Sequence, residues 1–125
     1  MEKKKLLIVE DDAILQKSLE DFLSTEGFEV SCASDGEAGV EMAHTNKPDL
    51  ILLDIVLPKK DGYEVLQEIK ADEAVSHIPI VLLTNLGSVS DVEKALELGA
   101  TTYLVKADYK LEEVTAKVKE ILEIA

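Results

Sequence analysis

At 125 residues the chain has the length of one domain, and we expect residues 1–125 to fold as a single unit. Apolar residues make up 46% of the chain and charged residues 31%, proportions that argue against a disordered or fibrous protein. The net charge of −13 results from 26 acidic residues against 13 basic ones, all lysine, and disfavours direct binding to nucleic acid or to an anionic membrane.

The ends of the chain and its cysteine content also limit the class of protein. The basic residues Lys3–Lys5 precede only the short apolar run Leu6–Val9, which is too short for the core of a signal peptide. No segment approaches the ~20 apolar residues that span a bilayer, so we expect a cytoplasmic protein. Cys32 is the only cysteine, so no internal disulfide forms, and we expect it to act as a small buried hydrophobe rather than a nucleophile.

Short apolar runs alternate with stretches in which apolar residues recur every three or four positions, a pattern that predicts strands alternating with helices. In chain order the predicted elements are a strand at Leu6–Val9, a helix over Ile14–Leu23 that ends at Gly27, a strand at Phe28–Ala33, a helix that begins at the capping box Ser34–Glu37, a strand at Leu50–Leu53, a helix after Asp61-Gly62 that includes Ile69, a strand at Ile80–Leu83, a helix between Ser88 and Gly99, a strand at Thr102–Val105 and a helix at Leu111–Leu122.

Strands that are apolar nearly throughout belong in a parallel sheet that is covered on both faces, because each crossover lays a helix against it. Five βα units with right-handed crossovers form an open, doubly wound α/β sheet. The runs Leu50–Leu53 and Ile80–Leu83 are the most apolar, so we expect them in the interior of the sheet.

Polar residues follow four of the predicted strands, at the edge where ligands bind in such sheets. Glu10 and Asp11 follow the first strand, Asp54 the third, Thr84 the fourth and Lys106 the fifth. Each of these residues alone is a weak signal, since an acid just past a strand is more often a turn residue or a helix cap. As a set, the residues would point into one crevice.

The set fits one kind of chemistry. Carboxylates gathered at neighbouring strand ends are unfavourable without a cation, and hard oxygen ligands suit Mg²⁺, with Mn²⁺ as an alternative. One carboxylate can then act as a nucleophile and form an aspartyl phosphate. A metal ion, an ammonium group and a hydroxyl group are the groups that stabilise a transferring phosphoryl group.

Four motifs carry a resemblance to a known family, and they run in order through nearly the whole chain: LLIVEDD at 6–12, PDLILLDIVLPKKDG at 48–62, VLLT at 81–84 and GATTYLVK at 99–106. The chain resembles the receiver domains of response regulators in bacterial two-component signalling. The resemblance implies a flavodoxin-like sheet with strand order 2-1-3-4-5 and helices on both faces. It also implies that a histidine kinase donates the phosphoryl group, and that the receiver itself catalyses the transfer and a slow hydrolysis.

The resemblance implies a role for each position that matches a functional residue of the family. The matching positions are Asp54 as the phosphoacceptor and a metal ligand, Asp11 as the main acidic metal ligand, Glu10 as its partner through water, Val56 as a metal ligand through its backbone carbonyl, Thr84 as the switch hydroxyl, Lys106 as the phosphate-pairing lysine and Tyr103 as the aromatic residue that reports activation. The face formed by the fourth helix, fifth strand and fifth helix would then bind an effector, an output domain or a second copy of the chain.

The sequence departs from the family pattern at two places. The family usually has proline after the lysine, but Ala107 follows Lys106, and we expect a trans bond or a rearranged loop there because cis bonds without proline are costly. Val56 and Leu86 are aliphatic where the family often has polar side chains near the attacking water. This motivates the hypothesis that the phosphorylated form hydrolyses slowly.

Other interpretations are a pseudo-receiver that binds partners without phosphorylation, an aspartate phosphatase and a flavin-binding protein. Retention of Asp11 and Asp54 argues against the pseudo-receiver, and the absence of Asp-x-Asp and of a Gly-rich phosphate loop after the first strand argues against the other two. His44 and His77 lack the sequence partners of a metal site or a triad, and we expect the pair Lys59–Lys60 to be solvated or to contact an acidic partner.

Overall fold

Five strands alternate with five helices in the part of the chain that the structure, a computed structural model, describes: residues 3–84, 89–105 and 110–123. In chain order the elements are β1 (Lys5–Val9), α1 (Ala13–Thr25), β2 (Glu29–Ala33), α2 (Gly36–Asn46), β3 (Leu50–Asp54), α3 (Gly62–Ala71), β4 (Ile80–Thr84), α4 (Val89–Glu97), β5 (Thr102–Val105) and α5 (Leu111–Leu122). Within these ranges, no helix has the length and apolar character needed to cross a membrane.

The strands form one parallel sheet in the order β2-β1-β3-β4-β5, which confirms the predicted fold class and strand order. The register pairs Val9 of β1 with Leu53 of β3, and Asp54 of β3 with Leu83 of β4. All five residues of β3 are buried, as expected for an interior strand. The carboxyl ends of the strands therefore meet at one edge of the sheet, and the acids that follow β1 and end β3 become neighbours.

Two hydrophobic cores cover the two faces of the sheet, because successive strand residues point to opposite sides. The core on one face includes Leu7, Val9, Ile51, Leu53 and Leu82 together with residues of α2, α3 and α4. The core on the other face includes Leu6, Ile8, Leu50, Leu52 and Leu83 together with residues of α1 and α5. Burial of each such leucine contributes about 2 kcal/mol, so the strands are held firmly up to the residues at which the polar edge begins.

Aspartate side chains begin three of the helices near that edge. Asp12 caps α1, Asp35 caps α2 and Asp61 caps α3, each by accepting from a backbone amide of the first turn. The predicted capping box that begins at Ser34 is wrong, because Asp35 is the N-cap residue and its carboxylate accepts from the amide of Ala38 at 2.8 Å, and Ala38 has no side chain that could complete a box. Each cap contributes about 1 kcal/mol and fixes where the chain turns from strand into helix.

Candidate functional site

The first acids of the site follow β1 directly and are fixed by backbone hydrogen bonds. The amide of Glu10 donates to the carbonyl of Ala33 at 3.0 Å. The Glu10 carboxylate accepts from the amide of Asp12 at 3.0 Å, while the Asp12 side chain caps α1. Glu10 is fully buried, whereas Asp11 is exposed. Two adjacent acids are thus placed in different surroundings, one inside the protein and one open to solvent.

Gln16, one turn into α1, holds the turn that carries these acids. Its side-chain nitrogen Nε2 donates to the carbonyl of Glu10 at 2.8 Å and to the carbonyl of Ala33 at 3.2 Å, and it lies 3.3 Å from Oγ of Ser34. The turn after β1 is therefore tied to the turn after β2. Sequence reasoning missed this residue, because its contacts depend on the pairing of β1 with β2 and leave no local motif.

Asp54 completes the acidic group from the neighbouring strand. It is the last residue of β3 and is 5% exposed, so its carboxylate is largely buried but not sealed from solvent. One carboxylate oxygen from each of Glu10, Asp11 and Asp54 lies within 4.8 Å of the other two. The structure therefore brings together the three acids that the sequence placed at adjoining strand ends.

The donor set of this group fits a hard divalent cation. It offers carboxylate oxygens from three residues, with no nitrogen or sulfur ligand, and the exposed Asp11 leaves the site open to water. Mg²⁺ prefers oxygen ligands and keeps several waters when it binds to a protein. Three carboxylates at this spacing repel one another, so a cation lowers the electrostatic cost of the folded state. In the parts of the chain that are described, no other group of three such side chains is as close.

The loop between Asp54 and α3 passes close to the backbone of Asp54. The amide of Gly62 donates to the carbonyl of Ile55 at 2.6 Å, and a Cβ at Gly62 would lie 2.4 Å from the carbonyl oxygen of Asp54. Glycine is therefore required where the loop passes the backbone of Asp54. Asp61 caps the helix that follows. The side chain of Val56, also in this loop, is 77% exposed.

The remaining predicted site residues belong to β4 and β5 or follow them in the sequence. Thr84 is the last residue of β4, next to β3 in the sheet, but its side chain lies outside the described part of the structure. Lys106, Ala107 and Leu86 also lie outside the described residues, so the expected geometry of the Lys106–Ala107 bond stays a prediction. Tyr103 is on β5, with 42% of its surface exposed.

His44 has a partner that the sequence did not reveal. Its Nδ1 lies 2.9 Å from the carbonyl oxygen of Val40, and its Nε2 lies 2.6 Å from a carboxylate oxygen of Asp72. Both partners accept hydrogen bonds, an arrangement that favours the doubly protonated form of the ring. The hydrogen bond to Val40, followed by that to Asp72, raises the pKa of His44 above its ordinary value. This ion pair joins the ends of α2 and α3.

The structure also describes three other side chains that the sequence analysis considered, those of Cys32, His77 and Lys60. Cys32 is half-buried, and burial raises the pKa of its thiol to about 11, which agrees with an unreactive cysteine. His77 is exposed. Lys60 forms an ion pair with Glu68, with N–O distances of 2.7 and 2.8 Å, so the expectation that it is merely solvated or partner-facing is incomplete.

Comparison with known proteins agrees with this geometry. Residues 6–119 match the family model described as the response regulator receiver domain. The chain is 46% identical to the protein named as probable transcriptional regulator ycf27 of Guillardia theta. The alignment extends over 120 residues, which are 96% of this chain and 46% of that relative. The alkaline phosphatase synthesis transcriptional regulatory protein PhoP of Bacillus subtilis is 41% identical over 95% of this chain and 48% of its own length. The chain thus spans about half the length of the curated relatives it matches.

The chain is also similar to a solved structure that contains a metal ion. The receiver domain of the sensor histidine kinase PA1611 from Pseudomonas aeruginosa superposes with a TM-score of 0.87 and 33% sequence identity, covering 95% of this chain and 97% of that one. That crystal structure has a magnesium ion coordinated in the active-site cleft. Since the matched region extends over residues 6–119, from β1 into α5, the chain belongs to the response regulator receiver domain family.

Proposed function

We propose that this receiver domain accepts a phosphoryl group from a histidine kinase onto the carboxylate of Asp54, with the help of bound Mg²⁺ or, alternatively, Mn²⁺. The observation that carries the proposal is the approach of three carboxylate oxygens, one of them from Asp54, within 4.8 Å of one another. A carboxylate beside a cation is a suitable phosphoryl acceptor, because the cation offsets the repulsion between the attacking oxygen and the phosphoryl oxygens.

Four residues would hold the metal. Asp11 and Asp54 would supply carboxylate oxygens, Glu10 would act through a water, and Val56 would supply its backbone carbonyl. The burial of Glu10 and the exposure of Asp11 support this division, since an ion that keeps several waters needs an open side. A bound magnesium ion would neutralise part of the negative charge on the acids and on the transferring phosphoryl group.

Asp54 is the nucleophile in this proposal. One of its carboxylate oxygens forms a bond to phosphorus as the bond between phosphorus and the donor's imidazole nitrogen breaks, and the departing imidazole keeps the electron pair. Little of Asp54 is exposed, which restricts access of water to the product. The hydroxyl of Thr84 and the ammonium of Lys106 would contact the phosphoryl oxygens. The domain thus assists its own phosphorylation and, more slowly, its own hydrolysis.

The output of the switch would be a protein contact. Thr84 and Tyr103 lie on adjacent strands, so a change at the phosphorylated site can alter the face formed by α4, β5 and α5. We propose that this face binds an effector, an output domain or a second copy of the chain. Relatives are named as transcriptional regulators, but a net charge of −13 supports a protein contact by this domain rather than direct binding to DNA.

Incubation with acetyl phosphate and Mg²⁺, followed by intact-mass measurement, tests the proposal. The unmodified chain should gain the mass of one phosphoryl group, and a chelator should prevent the gain. Asp54→Ala should gain nothing, whereas Asp21→Ala, which removes an exposed aspartate on α1, should gain as much as the parent. If the parent stays unmodified with the metal present, the domain is a binding module that acts without phosphorylation.

A further inference from the structure

We infer that Gly36, the first residue of α2, is a positioning residue for the loop that carries the carbonyl of Val56. Gly36 is not one of the three acids of the site, and it lies on a different element from each of them. The inference rests on the proposed function, because it concerns how that loop is held for metal binding. It is supported by the conformation of the loop and by its contact with α2.

The loop contains a turn of an uncommon kind. The amide of Lys60 donates to the carbonyl of Pro58 at 2.8 Å, so the hydrogen bond spans only two residues. Between them, Lys59 has a φ of 68°, in the left-handed region that non-glycine residues seldom adopt. These are the features of a γ-turn with positive φ, which is rare and strained. Such a conformation persists only where surrounding contacts hold it in place.

The N-terminus of α2 supplies such a contact. The amide of Gly36 donates to the carbonyl of Pro58 at 3.2 Å, so the same oxygen accepts from two donors, one inside the turn and one from α2. The first amides of a helix have no partner within it, and the turn supplies one. A Cβ at Gly36 would lie 2.0 Å from the carbonyl oxygen of Lys60 and 2.7 Å from its carbonyl carbon. Only glycine allows this approach without a shift of the loop.

Side-chain contacts hold the same turn from α3 and from the start of α2. Lys60 pairs with Glu68 of α3 at 2.7 Å, and Lys59 lies 3.9 Å from the carboxylate of Asp35. The turn is therefore confined between two helices. Because Val56 is only two residues before Pro58, a displacement of the turn away from α2 is transmitted along the backbone to the carbonyl at Val56.

The variant Gly36→Ala tests this role against a control, Gly27→Ala. Both replace a glycine by alanine, but Gly27 follows α1 and has a φ of 97°, and a Cβ there would meet no described neighbour within 4 Å, so this change strains the backbone without touching the loop or the acids. We expect Gly36→Ala to weaken magnesium affinity roughly tenfold, as is typical when a supporting residue of a metal site is changed. Gly27→Ala should bind magnesium as the parent does. The affinity is measured from the rise in melting temperature with magnesium concentration.

A second measurement uses the unmodified protein and does not depend on the variants folding. If the contact between Gly36 and Pro58 favours metal binding, then metal binding must by reciprocity strengthen that contact. Amide hydrogen exchange followed by NMR should therefore slow at Gly36 when magnesium is added. The amide of Gly39, which donates to the carbonyl of Asp35 within α2 at 3.0 Å, should exchange at an unchanged rate.

The outcomes separate this inference from the proposed function. If magnesium leaves the melting temperature of the parent unchanged, the proposed metal site fails, and the role of Gly36 fails with it. If the parent responds but Gly36→Ala binds magnesium as tightly as Gly27→Ala, the role of Gly36 alone is wrong. If Gly36→Ala does not fold, the exchange measurement on the unmodified protein decides the question. An exchange rate at the Gly36 amide that magnesium does not change overturns the inference.

Discussion

Replacing Asp54 by asparagine should stabilise the metal-free protein, although it removes the proposed phosphoacceptor. Carboxylate oxygens of Asp54 and Glu10 approach within 4.8 Å, and both residues are buried. Two unit charges at that distance repel by about 3 kcal/mol at an effective dielectric constant of about 20. Asp54 also makes favourable interactions that the amide would only partly replace, so we expect a net gain of about 1 to 2 kcal/mol in the free energy of unfolding.

Magnesium should stabilise the parent more than it stabilises Asp54→Asn. An ion that binds only the native state stabilises it by about 2.7 kcal/mol at a concentration of about 100 times its dissociation constant. In a domain of 125 residues, 1 kcal/mol corresponds to roughly 4 °C in melting temperature, so the parent should melt about 10 °C higher at that concentration. Asp54→Asn lacks one carboxylate ligand, so its melting temperature should rise much less.

Far-UV circular dichroism is the suitable assay, because the chain has no tryptophan to report unfolding by fluorescence. Melting curves and urea titrations would be recorded in chelator and in a magnesium series. Glu41→Gln, which removes one exposed acid on α2, serves as the control and should shift stability by less than about 0.5 kcal/mol in either solution. The reasoning is refuted if Asp54→Asn is no more stable than the parent in chelator and gains as much from magnesium.

Three further outcomes are expected. Val56→Asn should speed hydrolysis of the phosphorylated form, measured by loss of phosphoryl mass, because the exposed valine cannot orient water; an unchanged or slower rate contradicts this. Asp61→Ala should cost about 1 kcal/mol in urea unfolding and Asp61→Asn much less, since asparagine can still cap α3; equal losses would exclude the cap. The pKa of His44 is raised and that of Asp72 is lowered. Their ion pair therefore stabilises the fold fully between the unfolded pKa of the carboxyl and the unfolded pKa of the imidazole. This stabilisation is lost as the pH rises through the folded pKa of His44. The stability difference between the parent and His44→Gln should therefore be larger at about pH 5.5 than at about pH 8.5, and a difference independent of pH would show that the ion pair contributes nothing.

The fold and the acids of the site were predictable because both depend on patterns within short segments. The apolar run that ends at Leu53 marks a buried strand, and the residue after it must emerge at the edge where parallel strands end. The same reasoning applies to Glu10 and Asp11 after Val9. The convergence of these acids follows from strand direction and order alone, and it does not require knowledge of side-chain packing.

The contacts that hold the site were not predictable in this way, because they join segments that are distant in the sequence. Gln16 reaches the carbonyl of Ala33, and Gly36 approaches the backbone of Lys60. Neither contact has a local motif, since each depends on the precise separation of two loops after folding. The same is true of the ion pair between His44 and Asp72, which lie 28 residues apart in sequence. Sequence periodicity fixes which face a residue occupies, but not which atom lies opposite.

The rigidity of the strands explains why a charged site can exist in this fold. Asp54 follows four fully buried residues of β3, and its backbone is paired in register with Leu83. The backbone of Asp54 is therefore held in place by the sheet, and only rotation of its largely buried side chain can change the distance between its carboxylate and that of Glu10. Binding of a cation relieves this repulsion without moving the backbone, so much of the binding free energy comes from the metal-free state being unfavourable. A site on a flexible loop would relax instead, and its affinity for the same ion would be lower.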